Sequence, residues 1–486
     1  MNRPLISTRA ARACMLAALL AGISGCDFLD PTAVENPRTT DDDLAGAAEP
    51  TAALLPGLRA QFGRAINAVV TFTEVISDNY SIQGTGLDKA LDEPAAVNPT
   101  LMNAGGGPYV NLQELRALSE FVLDDIVPED DTATPEQIAE AQYYRGMAYL
   151  MLAENFAGAA LEINEPVVAP AELLDRGIGS LEASLATSSD GSFALPARAA
   201  LARAHRIGGN AAAAEAAALA VLAADADFTF IQEFDASSVD NGPHNFLVQR
   251  ALQEMQPLPR LDFLDPKYTT EESGIPIAKA EEMHLILAEI DLVAGNGAGA
   301  REHVAQAIEI ARARPTTGFD DNDLRRNADL TIRPRDQVIV VRADAGSPFR
   351  ADLVLDRPGQ LQTPHISGTS LDADSVRALS GEEDLWHAFH LARQEMLFLE
   401  GRRMSDLGVR LPIMLTEIDT NTAIEDGDPG TTTFVPAHIP TLDGMDLFSP
   451  SSPYSGSNPP VLQTDEVTID IDMNRLLAQG RVSPLN

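Results

Sequence analysis

Several groupings along the chain combine residue types and spacings that suit chemistry. His387 and His390 stand one helical turn apart, with Glu383 one turn earlier, a set that could hold a divalent metal such as zinc on one helix face. Asp320-Asp321-Asn322-Asp323 and Glu425-Asp426-Gly427-Asp428 gather the oxygen ligands that calcium takes, but neither has the full loop with a closing glutamate. Asp78-Asn79-Tyr80 places a ring beside polar groups, the combination that stacks on a sugar's C–H face while bonding its hydroxyls. With Tyr109 these three form the candidate ligand site. Tyr268, Phe319 and Tyr454 are further loop aromatics, and Trp386 is the single tryptophan. Plainer readings stand beside each: a solvated helix face, solvated acidic turns, tyrosines that plug a core. Catalysis lacks a constellation. There is no Gly-x-Ser-x-Gly elbow and no Gly-rich loop ending in Lys-Ser or Lys-Thr. With 72 Asp and Glu residues, close carboxylate pairs arise by chance and do not argue for a glycosidase. The expectation is a protein without enzymatic activity, cofactor or metal.

The element that must carry the histidine pair runs from Ser380 to Leu411. Leu385, Phe389, Ala392, Met396 and Leu399 step by four, three, four and three, which is one face of an α-helix. Ser380 and Glu383 have the spacing of a capping box, while Gly401 loosens the far end and Gly408 with Pro412 stops it. Charges of both signs lie beyond the stripe, too many for a helix packed on all sides unless they pair with one another. Leu397-Phe-Leu-Glu400-Gly401-Arg-Arg403-x-x-Asp406-Leu407 resembles the C-terminal helix signature of the SusD/RagB family, and Arg393 falls where that family carries an arginine. One departure is Met396, four residues before Glu400, where the family usually has a second glutamate. The resemblance makes Arg393, Glu400, Gly401, Arg403 and Asp406 the structural signature, an ion-pair network that holds the segment to its neighbours.

The N-terminus reads as an address. Arg3, Arg9 and Arg12 precede an apolar run from Ala13 to Ile23, half the length a spanning helix needs, so residues 1–25 are expected to be a secretion signal. Ile23-Ser24-Gly25-Cys26 resembles a bacterial lipobox, which makes Cys26 the expected site of lipid attachment. Several acyl chains, at about 0.8 kcal/mol per buried methylene, hold a protein firmly to a membrane. Cys14 leaves with the signal, so no thiol remains for a disulfide. Loss of the signal leaves 31 basic residues against 72 acidic ones, a net charge of −41. That sign excludes nucleic acid as a partner.

Length allows about three domains, yet residues 26–486 read as one SusD/RagB-like domain. Asp27-Phe-Leu-Asp30-Pro31 resembles the family's opening, and the Thr39 to Leu44 stretch reads as an N-cap with an acidic first turn before a helix to Ile76, broken at Pro56 and Gly57. Residues 81–108 read as loop, and Tyr109 to Ile126 as helix. Residues 137–314 carry a repeat. Ala202, Ala214 and Val221 are separated by twelve and seven, and so are Ala288, Ala300 and Ala307. A looser copy opens at Tyr143-Tyr144-Arg145-Gly146. This is tetratricopeptide spacing, in which small residues let two helices cross closely. Residues 315–378 lose periodicity and form an irregular insertion. Within it Gln337–Arg342 and Asp352–Asp356 suggest a hairpin across Gly346-Ser-Pro348. The expected fold is mainly α: a tetratricopeptide-like helix-pair scaffold with long irregular loops, a small β-like insertion at 315–378 and the signature helix at 379–411.

The resemblance implies a nutrient-binding lipoprotein at the cell surface. It would be lipid-anchored in the outer membrane, take a glycan, oligosaccharide or peptide, and work with a SusC-like TonB-dependent transporter. The alternative is a periplasmic tetratricopeptide adaptor lipoprotein that binds other proteins.

Overall fold

A computed structural model describes residues 48–82, 90–103, 106–250, 255–320, 339–355, 359–440, 445–450 and 466–486. The signal, Cys26, the Asp27–Pro31 opening, the Thr39–Leu44 cap, Asp321 to Asp323 and Tyr454 lie outside the described residues. The chain falls into two units, Met1–Pro50 and Thr51–Asn486. The described helices and strands belong to the second, apart from Pro50, the first residue of α1.

The fold is mainly α, as the periodicity implies. Helix α1 (Pro50–Ile76) buries Leu55, Leu58, Phe62, Ile66 and Val69, stepping by three or four residues, and accommodates Pro56 in its second turn. Helix α2 (Pro108–Glu120) follows a stretch that contains short helical turns at Pro94–Ala96 and Pro99–Met102, where the sequence suggests only loop. The paired helices are α3 (Pro135–Asn155) on α4 (Pro170–Thr187), α5 (Ala194–Ile207) on α6 (Ala211–Ala224), and α7 (Ala280–Val293) on α8 (Gly297–Ala313). Thr134 and Gln137 close a capping box on α3, and the side chains of Asn210 and Asn296 cap α6 and α8.

The small residues of the repeat sit where the helices cross. Ala202, Ala214, Val221, Ala288, Ala300 and Ala307 are all buried. In the first pair the crossing is glycine on glycine. A Cβ on Gly146 would stand 2.7 Å from Leu181, and one on Gly177 would meet the Leu150 amide at 3.1 Å. Gly209 and Gly295 turn the chain between the helices of the second and third pairs with the same φ of +74°.

Short strands tie the layers. Strands β1 (Tyr80–Ile82), β2 (Thr229–Gln232), β3 (Met255–Pro257) and β4 (Ile275–Lys279) form two antiparallel ribbons, β1 with β3 and β2 with β4. The hairpin expected across Gly346 is not what forms. Strand β5 (Thr316–Asp320) pairs instead with β7 (Gln360–Pro364), while β6 (Val340–Arg342) lies parallel to β9 (Glu466–Ile469), itself antiparallel to β8 (Phe448–Pro450). Among the described residues a single antiparallel bridge, Val341 to Arg350, spans the Gly346 turn, and it falls short of the Asp352–Asp356 run expected to be the partner. Residues 351–354 are bends that dock on the segment at 262–263, where the Phe263 amide donates to the Leu353 carbonyl at 3.0 Å. The partner of β6 lies more than a hundred residues away, and local strand propensity does not encode it.

The signature segment is not one helix. Helix α9 (Glu382–Met396) is capped by Gly381, and the Ser380 box is not formed. Leu399 and Gly401 then turn the chain with positive φ, and a short helix α10 (Arg403–Leu407) ends on Gly408 at φ +78°. A last helix, α11 (Met473–Gly480), packs on α9. Among the described residues no helix is long and apolar enough to cross a membrane.

Candidate functional site

A cleft of about 440 Å³ opens along one stripe of α1. Arg64, Asn67, Ala68, Thr71 and Phe72 fall at i, i+3, i+4, i+7 and i+8, so they share the helix face opposite the Phe62–Val69 core stripe. The facing wall is the segment around Asp240 and Phe246. Asn67 fixes that wall: its side-chain amide donates to the Asp240 carbonyl at 2.7 Å, and its oxygen accepts from the Gly242 amide at 3.0 Å. Gly242 permits this approach, since a Cβ there would stand 3.1 Å from Asn67. Phe246 comes from a single π-turn, His244–Val248, and the Arg250 guanidinium covers its ring at 4.1 Å. His244 anchors the turn from beneath, one ring nitrogen 2.6 Å from the Tyr268 carbonyl.

Leu91, Leu101 and Val239 complete apolar walls. Phe72 and Phe246 are half-buried and Arg64 is exposed. The Arg64 guanidinium bonds only Gln61 Oε1, at 3.3 Å, among the described residues. Two rings and an aliphatic floor, rimmed by an arginine, an aspartate and an asparagine, suit a small polar ligand with apolar faces. Among the described residues the lining has no cysteine and no histidine.

The expected ligand residues lie elsewhere, in the interior. Tyr80 is fully buried, stacks on Phe398 at 5.7 Å between ring centres, and donates its hydroxyl to Asp265 at 2.6 Å. Asn79 donates to Glu74 at 2.7 Å and accepts from Gln394 at 2.9 Å. Asp78 turns the chain at φ +56° and accepts the Met445 amide; burial drives its carboxyl well above the usual range. Tyr109 lies edge-on to Phe156, and its hydroxyl accepts from the Ala160 amide at 3.0 Å. The grouping expected to face a ligand is therefore made of core plugs, because each polar tip finds a partner inside. Tyr268 is likewise buried, donating to the Leu399 carbonyl at 2.6 Å, and Phe319 is mostly buried.

The signature residues form a buried charge network. Arg393 holds Asp406 by two bonds of 2.8 and 2.9 Å, and Arg206 reaches the same carboxylate at 3.0 Å. Burial pushes the Asp406 carboxyl up, but the two arginines overcome it and hold it well below the usual range. One oxygen of Glu400 accepts from both Lys267 and Lys279 at 2.5 Å. Burial outweighs Glu400 at Lys267 and draws its pKa down to about 8. The Gly401 amide donates to Glu74 at 2.9 Å. Arg403 meets Asp446 at 3.2 Å, and Arg260 bridges Asp446 and Asp472 at 2.6 and 2.7 Å. Met396, at the family's glutamate position, is fully buried, while Glu395 beside it accepts from Thr369 and Ser370.

The metal readings find no shared point. His387 bonds Asp472 at 2.9 Å, His390 is buried against Trp386, and Glu383 faces Arg475 and Gln479. Asp428 closes its own turn by accepting the Glu425 amide at 2.8 Å. Among the described residues no group of three or more His, Cys, Asp or Glu side chains could hold a metal ion. The cleft residues escaped the sequence reading because they come from a scaffold helix and two distant segments. The available signal was the polar stripe of α1 at helical spacing, with Phe72 at its end.

No protein-family model and no curated protein matches the chain. Solved structures do. B. fragilis NanU is 13% identical over 81% of this chain and 95% of its own, with a TM-score of 0.50. A SusD superfamily protein from Bacteroides vulgatus is 15% identical, covering 74% of this chain and 87% of its own, with a TM-score of 0.48. A SusD-like carbohydrate binding protein from the same organism is 12% identical over 74% of this chain and 83% of its own, at 0.45. At such identities the likeness is one of fold alone.

Proposed function

We propose that this chain is a nutrient-binding lipoprotein of SusD type that captures a glycan or oligosaccharide in the cleft beside α1 and passes it to a SusC-like TonB-dependent transporter. One observation carries the reading: two half-buried phenylalanines face a lined space beside Arg64, Asn67 and Asp240. Rings take the C–H faces of a sugar and the polar rim takes its hydroxyls. The mechanism is capture and release, without a covalent step. Cys26 carries the lipid anchor, and the protein sits on the outer membrane facing outward. The lipobox-like stretch at Ile23–Cys26 and the family signature support that placement. The SusD-like carbohydrate binding protein of similar fold lends the ligand class.

The test is calorimetry with a panel of oligosaccharides and short peptides. Trp386 is fully buried on α9 and makes a poor reporter, so heat is the better signal. A saturable glycan is expected to lose about ten-fold in affinity or more in Phe72→Ala and Phe246→Ala, each ring contributing about 1–3 kcal/mol of stacking and burial. Binding that survives both substitutions places the ligand elsewhere. Co-purification of a large outer-membrane barrel with the acylated protein, and its loss in Cys26→Ser, tests the partner and the anchor.

A further inference from the structure

Helices α7 and α8 each turn one histidine toward the other, outside both the cleft lining and the signature ion pairs. His284 Nδ1 and His303 Nδ1 stand 3.3 Å apart, with ring centres 5.6 Å apart and planes tilted by 37°. Two imidazole nitrogens bound at about 2.0–2.1 Å to one tetrahedral ion stand roughly 3.3–3.4 Å from each other. The two rings therefore already have the separation of a shared ligand pair.

A second observation points the same way. On its other side His303 Nε2 faces Asp291 Oδ2 at 3.9 Å. Metal-binding imidazoles direct their second ring N–H to a carboxylate, which fixes the tautomer and raises the basicity of the ligating nitrogen. Closing that gap to about 3 Å makes it a hydrogen bond. Asp291 is itself steadied by the Asn296 side chain at 2.8 Å, in the turn that joins the helices. The His303 and Asp291 side chains remain 26% and 22% exposed, so an ion has a way in and water can complete its coordination.

We propose that His284 and His303 form a two-imidazole site for a borderline divalent ion of the zinc or copper type, which clips α7 to α8. Imidazole favours these ions over magnesium and calcium, which prefer oxygen. Without the ion the rings share one N–H···N bond. When the ion enters, both nitrogens present lone pairs, and the proton between them moves to Nε2 of the ring that held it.

The full chain, free of any affinity tag, is titrated with ZnCl2 over an excess of MgCl2, by calorimetry and by thermal unfolding. One saturable site is expected, together with a zinc-dependent rise in the unfolding midpoint. Affinity should fall by about ten-fold or more in His284→Gln and in His303→Gln, and by less in Asp291→Asn. Glutamine keeps the bulk and polarity of the ring position, and helical circular dichroism checks that each variant folds. Absence of saturable zinc binding by the wild type overturns the site, and so does unchanged affinity in the two folded histidine variants.

Discussion

The charge network behind α9 and α10 and the cleft along α1 use the same residue types to opposite ends. In the network Glu400, Asp406, Asp446 and Asp472 are all buried or nearly so, and each sits against at least one cation. In the cleft Arg64 is exposed and, among the described residues, bonds only a glutamine, at 3.3 Å. A buried charge must be matched, because its desolvation costs several kcal/mol. An exposed one can stay unmatched, and a ligand is then free to match it. Burial, more than residue type, separates the two sets of charges.

Breaking the network is expected to give the largest effect. Glu400→Gln leaves Lys267 and Lys279 buried without their shared carboxylate. Urea unfolding should show a loss of about 3–5 kcal/mol, or no folded protein at all. A loss below about 1 kcal/mol, the range of exposed pairs, would mean that the network is wetter and looser than its geometry implies. Gly401→Ala follows. Its φ of +70° and a Cβ position 3.3 Å from Val69 call for a cost of about 1–3 kcal/mol by the same measurement.

The network was also the more legible region. Arg393, Glu400, Gly401, Arg403 and Asp406 fall within fourteen residues, so their spacing could be read along one stretch of chain. Their partners could not be read: Lys267, Lys279, Glu74, Arg206 and Asp446 arrive from four other segments, and only the folded chain brings them there. Helix pairing was legible for a similar reason, since Ala202 to Ala214 and Ala288 to Ala300 are local intervals set by helix length and a glycine turn. The site was not. Tyr80 looks like a platform in sequence because it follows a helix break beside two polar residues. The partner that makes it a core residue, Asp265, lies 185 positions away. Strand β6 failed on the same ground, its partner β9 beginning at Glu466.

Acid sharpens the comparison. His390 sits in the network, and burial holds its pKa well below the ordinary value, aided by Arg403 and Arg393 against Asp406. The unfolded chain takes up a proton near pH 6.5 that the native state refuses, so stability falls as pH drops through that value. The loss between pH 7 and 5 amounts to at most about 2 kcal/mol. Glu74 and Glu395, raised by burial, pull the other way as they protonate, so the readout is the difference between wild type and His390→Gln. Relative to wild type, the variant should lose less stability, or gain more, as pH falls over that window. Parallel profiles would mean that His390 gains its proton in the native state too.

The smallest effect belongs to the cleft, and there the smallness is the point. Arg64→Ala removes an exposed side chain whose single hydrogen bond is long, so unfolding should shift by less than about 0.5 kcal/mol. The same change should weaken a ligand that bonds the guanidinium by about 1.5–3 kcal/mol, the worth of a hydrogen bond to a charged group. A residue that serves the fold loses stability on truncation, whereas one kept for binding loses affinity alone. Urea melts and calorimetry on one preparation of Arg64→Ala separate the two outcomes. If stability falls while affinity for the best glycan holds, Arg64 belongs with the scaffold, and the contrast between the two regions fails at the cleft.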